Sequence, residues 1–279
     1  MRWFFMLMAA MLVLADGARA AVLDRVKATG KLTLGFRSDT MPFSYRNGAG
    51  EPDGYSVTLC KRVGAALVDD LGLSSLAVEL VEVTAEDRFT RLMAGEIDLL
   101  CSADTVTLAR REQVDFSLLT FSTGATLLYR ADGPKSFEEL EGGQVGVREG
   151  TTTEALLRRI TEKAGSKFTL VPVDSHEEGV QRLLAGELGA YFGDGAILLY
   201  HFLTSPDRDQ LKLSDKALSF EPYALVLPRG DADFRLAVDR VLARIYRSGE
   251  IKQIFKDTFG GPKPSELIEA LYTLQGLPE

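Results

Sequence analysis

Ile97-Asp98-Leu99-Leu100-Cys101, followed after a short polar gap by Thr105-Val-Thr-Leu-Ala-Arg-Arg-Glu-Gln-Val-Asp-Phe-Ser117, decides how this chain is read. The apolar run has the look of a buried strand. The residues after it open with hydroxyls, turn helix-like and carry two adjacent arginines, Arg110 and Arg111. A strand that ends in hydroxyls ahead of a helix start can gather backbone N–H groups, a hydroxyl and a guanidinium fork on one anion. The same pattern also suits an ordinary strand–loop–helix joint with two solvated arginines.

Working outward, 31–35 alternates as a strand. Residues 56–70 carry Val57, Cys60, Val63, Ala66 and Leu67 at helical spacing. A strand over 78–83 and a helix over 86–94, stopped by Gly95, lead back to the opening strand. This β-α-β-α-β order predicts a mostly parallel sheet with helices on both faces. A second unit follows. It has strands over 124–129, 144–147, 168–173 and 190–192, and helices over 154–164 and 175–185. A short helix over 136–140 is capped by Ser136. A last strand over 223–227 precedes helices over 231–246, 250–259 and 265–274. Thr90-Arg-Leu-Met-Ala-Gly-Glu-Ile-Asp98 is echoed by Gln181-Arg-Leu-Leu-Ala-Gly-Glu-Leu-Gly189. Each is a helix end, a glycine stop and a strand start, and each precedes a polar strand end. Open α/β sheets bind ligands beyond the carboxyl ends of their strands. Two α/β lobes facing each other would bring both ends into one cleft.

With 279 residues, 46% of them hydrophobic, the chain can build a large core; its formal charge of −8 and lack of a basic run argue against nucleic-acid binding. Arg2, an apolar run from residue 3 to 15, and Ala18-Arg19-Ala20 fit a signal peptide over 1–20, cleaved after Ala20. The product is expected to be exported, and periplasmic in a Gram-negative cell. Two cysteines in an exported chain permit a disulfide between Cys60 and Cys101; two buried free thiols are the alternative. Two histidines, neither near a cysteine, give no metal-ligand set. No cofactor is implied, and no nucleophile–base motif is visible.

Taken together, Pro42-Phe43, Gly54-Tyr55-Ser56-Val57, Arg88-Phe89, Ala94-Gly95-Glu96-Ile97-Asp98, the 105–117 stretch, Gly150-Thr-Thr-Thr153, Asp194, and Ser248-Gly249-Glu250 with Phe255 carry a family resemblance. The chain resembles family 3 extracytoplasmic solute-binding proteins, the amino-acid receptors of ABC importers, and within them the glutamate/aspartate-binding branch. The resemblance implies a periplasmic binding protein-like fold of two α/β lobes joined by a two-strand hinge. Lobe 1 would be 21–122 plus 221–279, and lobe 2 would be 123–220. It also implies a monomer that delivers a free amino acid to an inner-membrane ABC permease.

An α-amino acid presents a carboxylate and an ammonium. Arg110 matches the family arginine that forks onto the α-carboxylate, and Thr105 the hydroxyl that joins it. Thr152 matches a donor from the second lobe, and Asp194 the carboxylate that takes the ammonium. Arg37, Arg88 and His176 match three partners of an acidic side chain. Each has a plain alternative: turn residue for Asp194, helix cap for Thr152 and His176, surface arginine for Arg88. Ala85 and Ala103 stand where the acidic branch has serine donors, which puts the identity of the side chain in doubt. Phe36, Phe43 and Tyr45 are candidates to cover the ligand's stem, with core packing the equal reading for Phe43. No residue is expected to be catalytic. The competing reading is a cyclohexadienyl (prephenate/arogenate) dehydratase on the same fold, with His176 or Glu149 as general acid.

Overall fold

The computed structural model describes residues 21–134, 138–164, 168–261 and 263–279. The expected signal segment and the Ser136 cap lie outside these residues.

After helix α1 (Val22–Thr29), strand β1 (Lys31–Phe36) leads to a small antiparallel ribbon, β2 (Asp39–Thr40), β3 (Ser44–Arg46) and β4 (Pro52–Asp53). Then come α2 (Tyr55–Asp70), β5 (Ala77–Glu82), α3 (Arg88–Ala94), β6 (Leu99–Leu100), the single-turn α4 (Leu108–Arg111) and β7 (Val114–Thr123). The second unit contains β8 (Ala125–Arg130), β9 (Gln144–Arg148), α5 (Thr152–Ala164), β10 (Thr169–Val173), α6 (His176–Leu184), β11 (Ala190–Asp194), α7 (Gly195–Thr204) and β12 (Leu211–Leu213). The chain returns through β13 (Glu221–Pro228) and ends in α8 (Ala232–Ser248), α9 (Glu250–Phe259) and α10 (Glu266–Gln275).

The sheet orders are β5-β1-β6-β13-β7 and β10-β9-β11-β8-β12. In each, three strands run parallel, as the β-α-β-α-β pattern predicts, and two antiparallel strands extend one side. Both sheets are therefore mixed. The sequence echo maps onto equivalent places. Gly95 and Gly186 each follow a helix at φ 77°, a left-handed conformation that stops a helix cheaply when no Cβ is present. The strands after them, β6 and β11, each border the antiparallel pair.

The opening stretch is less helical than its sequence suggests. Only Leu108–Arg111 is helix, and Val114 already begins the ten-residue strand β7. Its residues pair with β13, whose Glu221 lies opposite Thr123. These two strands carry the chain out to the second sheet and back. The free edge of β7 is covered: Leu118 N–H donates to Asp239 Oδ1 at 2.7 Å and Leu119 N–H to Gln275 Oε1 at 2.6 Å. Helix α10 thus seals an edge that would otherwise present unpaired amides.

The first core packs α2, α8 and α9 on β1, β6 and β13. Val57, Cys60, Val63 and Leu67 of α2 are all fully buried on that face. Phe43 belongs here too, ringed edge-on by Tyr55, Phe121 and Tyr223, so it is a core residue rather than a cover for the cleft. Cys60 and Cys101 form a disulfide with Cα atoms 6.1 Å apart, tying α2 to the end of β6. A cross-link over a separation of 41 residues stabilises by about 2–4 kcal/mol. It also fixes the polar strand end that follows, where Ser56 Oγ donates to the Ser102 carbonyl at 3.0 Å.

Candidate functional site

The site lies where the carboxyl ends of β1, β6, β9 and β11 meet. After the disulfide the chain runs Ser102-Ala103-Asp104-Thr105, all buried. Thr107 then caps α4 by accepting from Arg110 N–H at 3.1 Å. That cap turns Arg110 back over the strand end. Its Nη1 donates to the Thr105 carbonyl at 2.8 Å, and its guanidinium sits 5.2 Å from the centre of the Phe89 ring. Among the described residues no other hydrogen bond engages the Arg110 guanidinium, so its Nε–Nη2 edge remains for a carboxylate.

Asp194 is the last residue of β11, not a turn residue. It stands at the start of α7 without capping it. Among the described residues its Oδ1 is buried with no partner in hydrogen-bond geometry, and the neighbouring Tyr223 hydroxyl, though close enough to pull on the carboxyl, makes none either. Burial first, and then the charge of Glu221, push the Asp194 carboxyl up to about 7, against the pull of Tyr223 and Arg110. Gly195 is required beside it, because a Cβ there would stand 2.9 Å from the Gly124 carbonyl oxygen.

Thr152 opens α5, but Thr151 does the capping, accepting from Glu154 N–H at 3.1 Å. The Thr152 hydroxyl is thereby left for the cleft. It lies 3.3 Å from Thr105 Oγ1 and donates to Glu221 Oε2 at 2.9 Å. Glu221, which also accepts from Ser219 Oγ at 2.6 Å, is a buried acid that sequence reasoning missed.

Arg37, Arg88 and His176 occupy the other half of the cleft. Each is buried, so Arg88 is no surface residue. Arg37 forks onto Asp39 through Nε and Nη2 at 2.8 and 2.7 Å. Arg88 donates from Nε to Asp104 Oδ1 at 2.7 Å. Burial lowers its pKa to about 10 against the opposing pull of Asp104, so it remains charged at neutral pH. His176 is the first residue of α6, behind the cap Ser175. Its Nδ1 lies 2.9 Å from Tyr191 Oη, and burial pushes its pKa down to about 3. The imidazole is neutral at neutral pH.

Arg148, at the end of β9, is another missed residue. It reaches across the cleft to Asp39 at 2.8 Å and to Glu86 at 2.7 Å. Arg88 Nη1 makes a long contact, 3.5 Å, with the Gly150 carbonyl in the opposite direction. Gly150, at φ 71°, lets the backbones close in: a Cβ there would lie 3.2 Å from the Ala85 carbonyl oxygen. Among the described residues no group of His, Cys, Asp or Glu is placed to hold a metal ion. No described helix is long and apolar enough to cross a membrane.

The model for "Bacterial extracellular solute-binding proteins, family 3" matches residues 32–261. The L-glutamate/L-aspartate-binding protein of Pseudomonas aeruginosa is 32% identical over 87% of this chain and 81% of its own length. Among solved structures, a mutant of the arginine-binding protein ArgBP from T. maritima superposes with a TM-score of 0.75 at 26% identity, covering 86% of this chain and 99% of that one. An ancestral amino acid-binding protein, described as a precursor of cyclohexadienyl dehydratase, reaches 0.74 at 25% identity, covering 85% and 99%. The two lobes, the mixed sheets and the match over residues 32–261 place this chain in the family 3 extracellular solute-binding proteins.

Proposed function

We propose that this protein is the amino-acid-binding component of an ABC importer, binding without catalysis a polar amino acid of the acidic, glutamate/aspartate-like kind between its lobes. The observation that carries the reading is complementary vacancy in bonding. Arg110 keeps a free donor edge, while Asp194, within its electrostatic reach, keeps an unpartnered acceptor. A zwitterion's carboxylate and ammonium satisfy both, with Thr105 and Thr152 supplying hydroxyls. Arg37, Arg88 and neutral His176 then face the side chain. In this reading, residues 1–20 are a signal peptide removed after Ala20, and the mature protein works as a periplasmic monomer that docks on an inner-membrane permease. Lobe 1 comprises 21–122 and 221–279, and closes on lobe 2, 123–220.

A thermal-shift panel of the common amino acids tests this. Binding to the closed form must raise the melting temperature by mass action, by about 2.7 kcal/mol of stabilisation at a hundredfold excess over Kd. The dehydratase reading requires His176 or Glu149 as a proton donor in the cleft, and neutral His176 is a poor one. Incubation with prephenate or arogenate separates the two: product beyond one equivalent of protein would replace the binding reading with the enzymatic one.

A further inference from the structure

The side-chain half of the cleft holds carboxylates as well as arginines. Asp104 has no exposed surface. It accepts from Arg88 Nε at 2.7 Å and, at the other oxygen, from Ser102 Oγ. Burial favours its neutral form, but Arg88, Arg110 and Arg37 together hold its carboxyl below the usual range, so it is an anion among three cations. Asp39 plays the same part for Arg37 and Arg148, and is held down to an acidity well below the ordinary carboxylate.

This arrangement has a chemical consequence. An incoming carboxylate can only accept hydrogen bonds, and would settle beside two fixed negative charges that already offset much of the arginine charge. A carboxamide of the same length both accepts and donates. Its oxygen can take the N–H groups that Arg37 and Arg88 retain, and its NH2 can give to Asp39 or Asp104. We propose that Asp104, seconded by Asp39, is a selectivity residue that brings an amide side chain to at least parity with the corresponding acid. The inference rests on the amino-acid-binding reading and widens its acidic, glutamate/aspartate-like side chain to the corresponding amides.

Calorimetric titration of the wild-type protein, Asp104→Asn and Asp39→Asn with L-glutamine and L-glutamate is the test. The wild type is expected to bind glutamine at least as tightly as glutamate. Each isosteric substitution removes one anion, and the glutamate-to-glutamine affinity ratio should rise about tenfold, the equivalent of 1.4 kcal/mol. A merely structural role would weaken both ligands alike. If Asp104→Asn does not fold, the ratio in Asp39→Asn decides. A wild type that prefers glutamate, or a ratio unmoved by the substitutions, overturns the selectivity role while leaving amino-acid binding standing. Failure of the wild type to bind any amino acid overturns both.

Discussion

The two halves of the cleft are built from the same side-chain types and use them in opposite ways. Around Arg110 and Asp194 the described residues leave bonding capacity open: a guanidinium edge without a partner and a buried carboxylate oxygen without a donor. Around Arg37, Arg88 and Arg148 the chain closes most of that capacity internally, with Asp39, Asp104 and Glu86. An open half makes strong, general demands on a ligand, because any molecule lacking the α-groups leaves buried polar atoms unpaired. A self-satisfied half makes weaker demands, since the ligand only competes with contacts that already exist. On the proposed reading, the open half meets what is common to amino acids and the self-satisfied half meets what tells them apart.

The largest effect should come from the open half. Arg110→Ala strands a ligand carboxylate without its fork and is expected to cost about 3–5 kcal/mol of binding. In calorimetry that would read as loss of measurable heat, and an unchanged affinity would erase the contrast between the halves. A smaller effect is expected from Arg148→Met, which cuts the cross-cleft link to Asp39 and Glu86 yet leaves Arg37 paired. Affinity should fall about tenfold, with small-angle scattering showing the ligand-free protein more open. Equal loss in Arg148→Met and Arg110→Ala would mean the distal half is as demanding as the proximal one.

Acidity offers a graded probe. On the proposed reading the ligand ammonium requires ionised Asp194, whose carboxyl stands near 7 without ligand, raised by burial and Glu221. Binding below that value must expel a proton, so affinity should fall as pH drops from about 7 to 5, by at most about tenfold per unit. The stability of the ligand-free protein moves the other way. With a folded-state pKa raised above the ordinary 3.8, Asp194 binds more protons folded than unfolded between the two values, and its contribution declines as pH rises through that window. Flat affinity between pH 5 and 8 would remove Asp194 from the ammonium site. The smallest effect belongs to Thr152→Val, which deletes one hydroxyl bonded to Glu221, at about 0.5–1.5 kcal/mol. A larger loss would show that Thr152 meets the ligand more tightly than its present partners indicate.

Much of the fold was legible because it depends on local pattern. Apolar spacing in α2 marks its buried face, and the two helix–glycine–strand echoes mark equivalent strands in the two sheets. The strand β7 was hidden because Arg110 and Arg111 dominate the local pattern, while Val114-Asp-Phe-Ser117 takes its identity from pairing with β13 more than a hundred residues away. The same limit applies to the site. Arg37, Arg88, Thr105, Arg110, Thr152, His176 and Asp194 come together, but nothing local announces that Arg148 meets Asp39 across 109 positions. Asp104 could have been suspected, since it lies inside the polar strand end beside Thr105. Glu221 could not, since a Glu-Pro pair at a strand start reads as a surface turn.

Calorimetric titration with L-glutamate and with 4-aminobutyrate, the same molecule without its α-carboxylate, is the most direct test of the open half as a general amino-acid clamp. Binding of glutamate at one per chain, with 4-aminobutyrate at least about a hundredfold weaker, is the result predicted from Arg110's free edge. Comparable affinity for both ligands, or no heat with any amino acid, would contradict it.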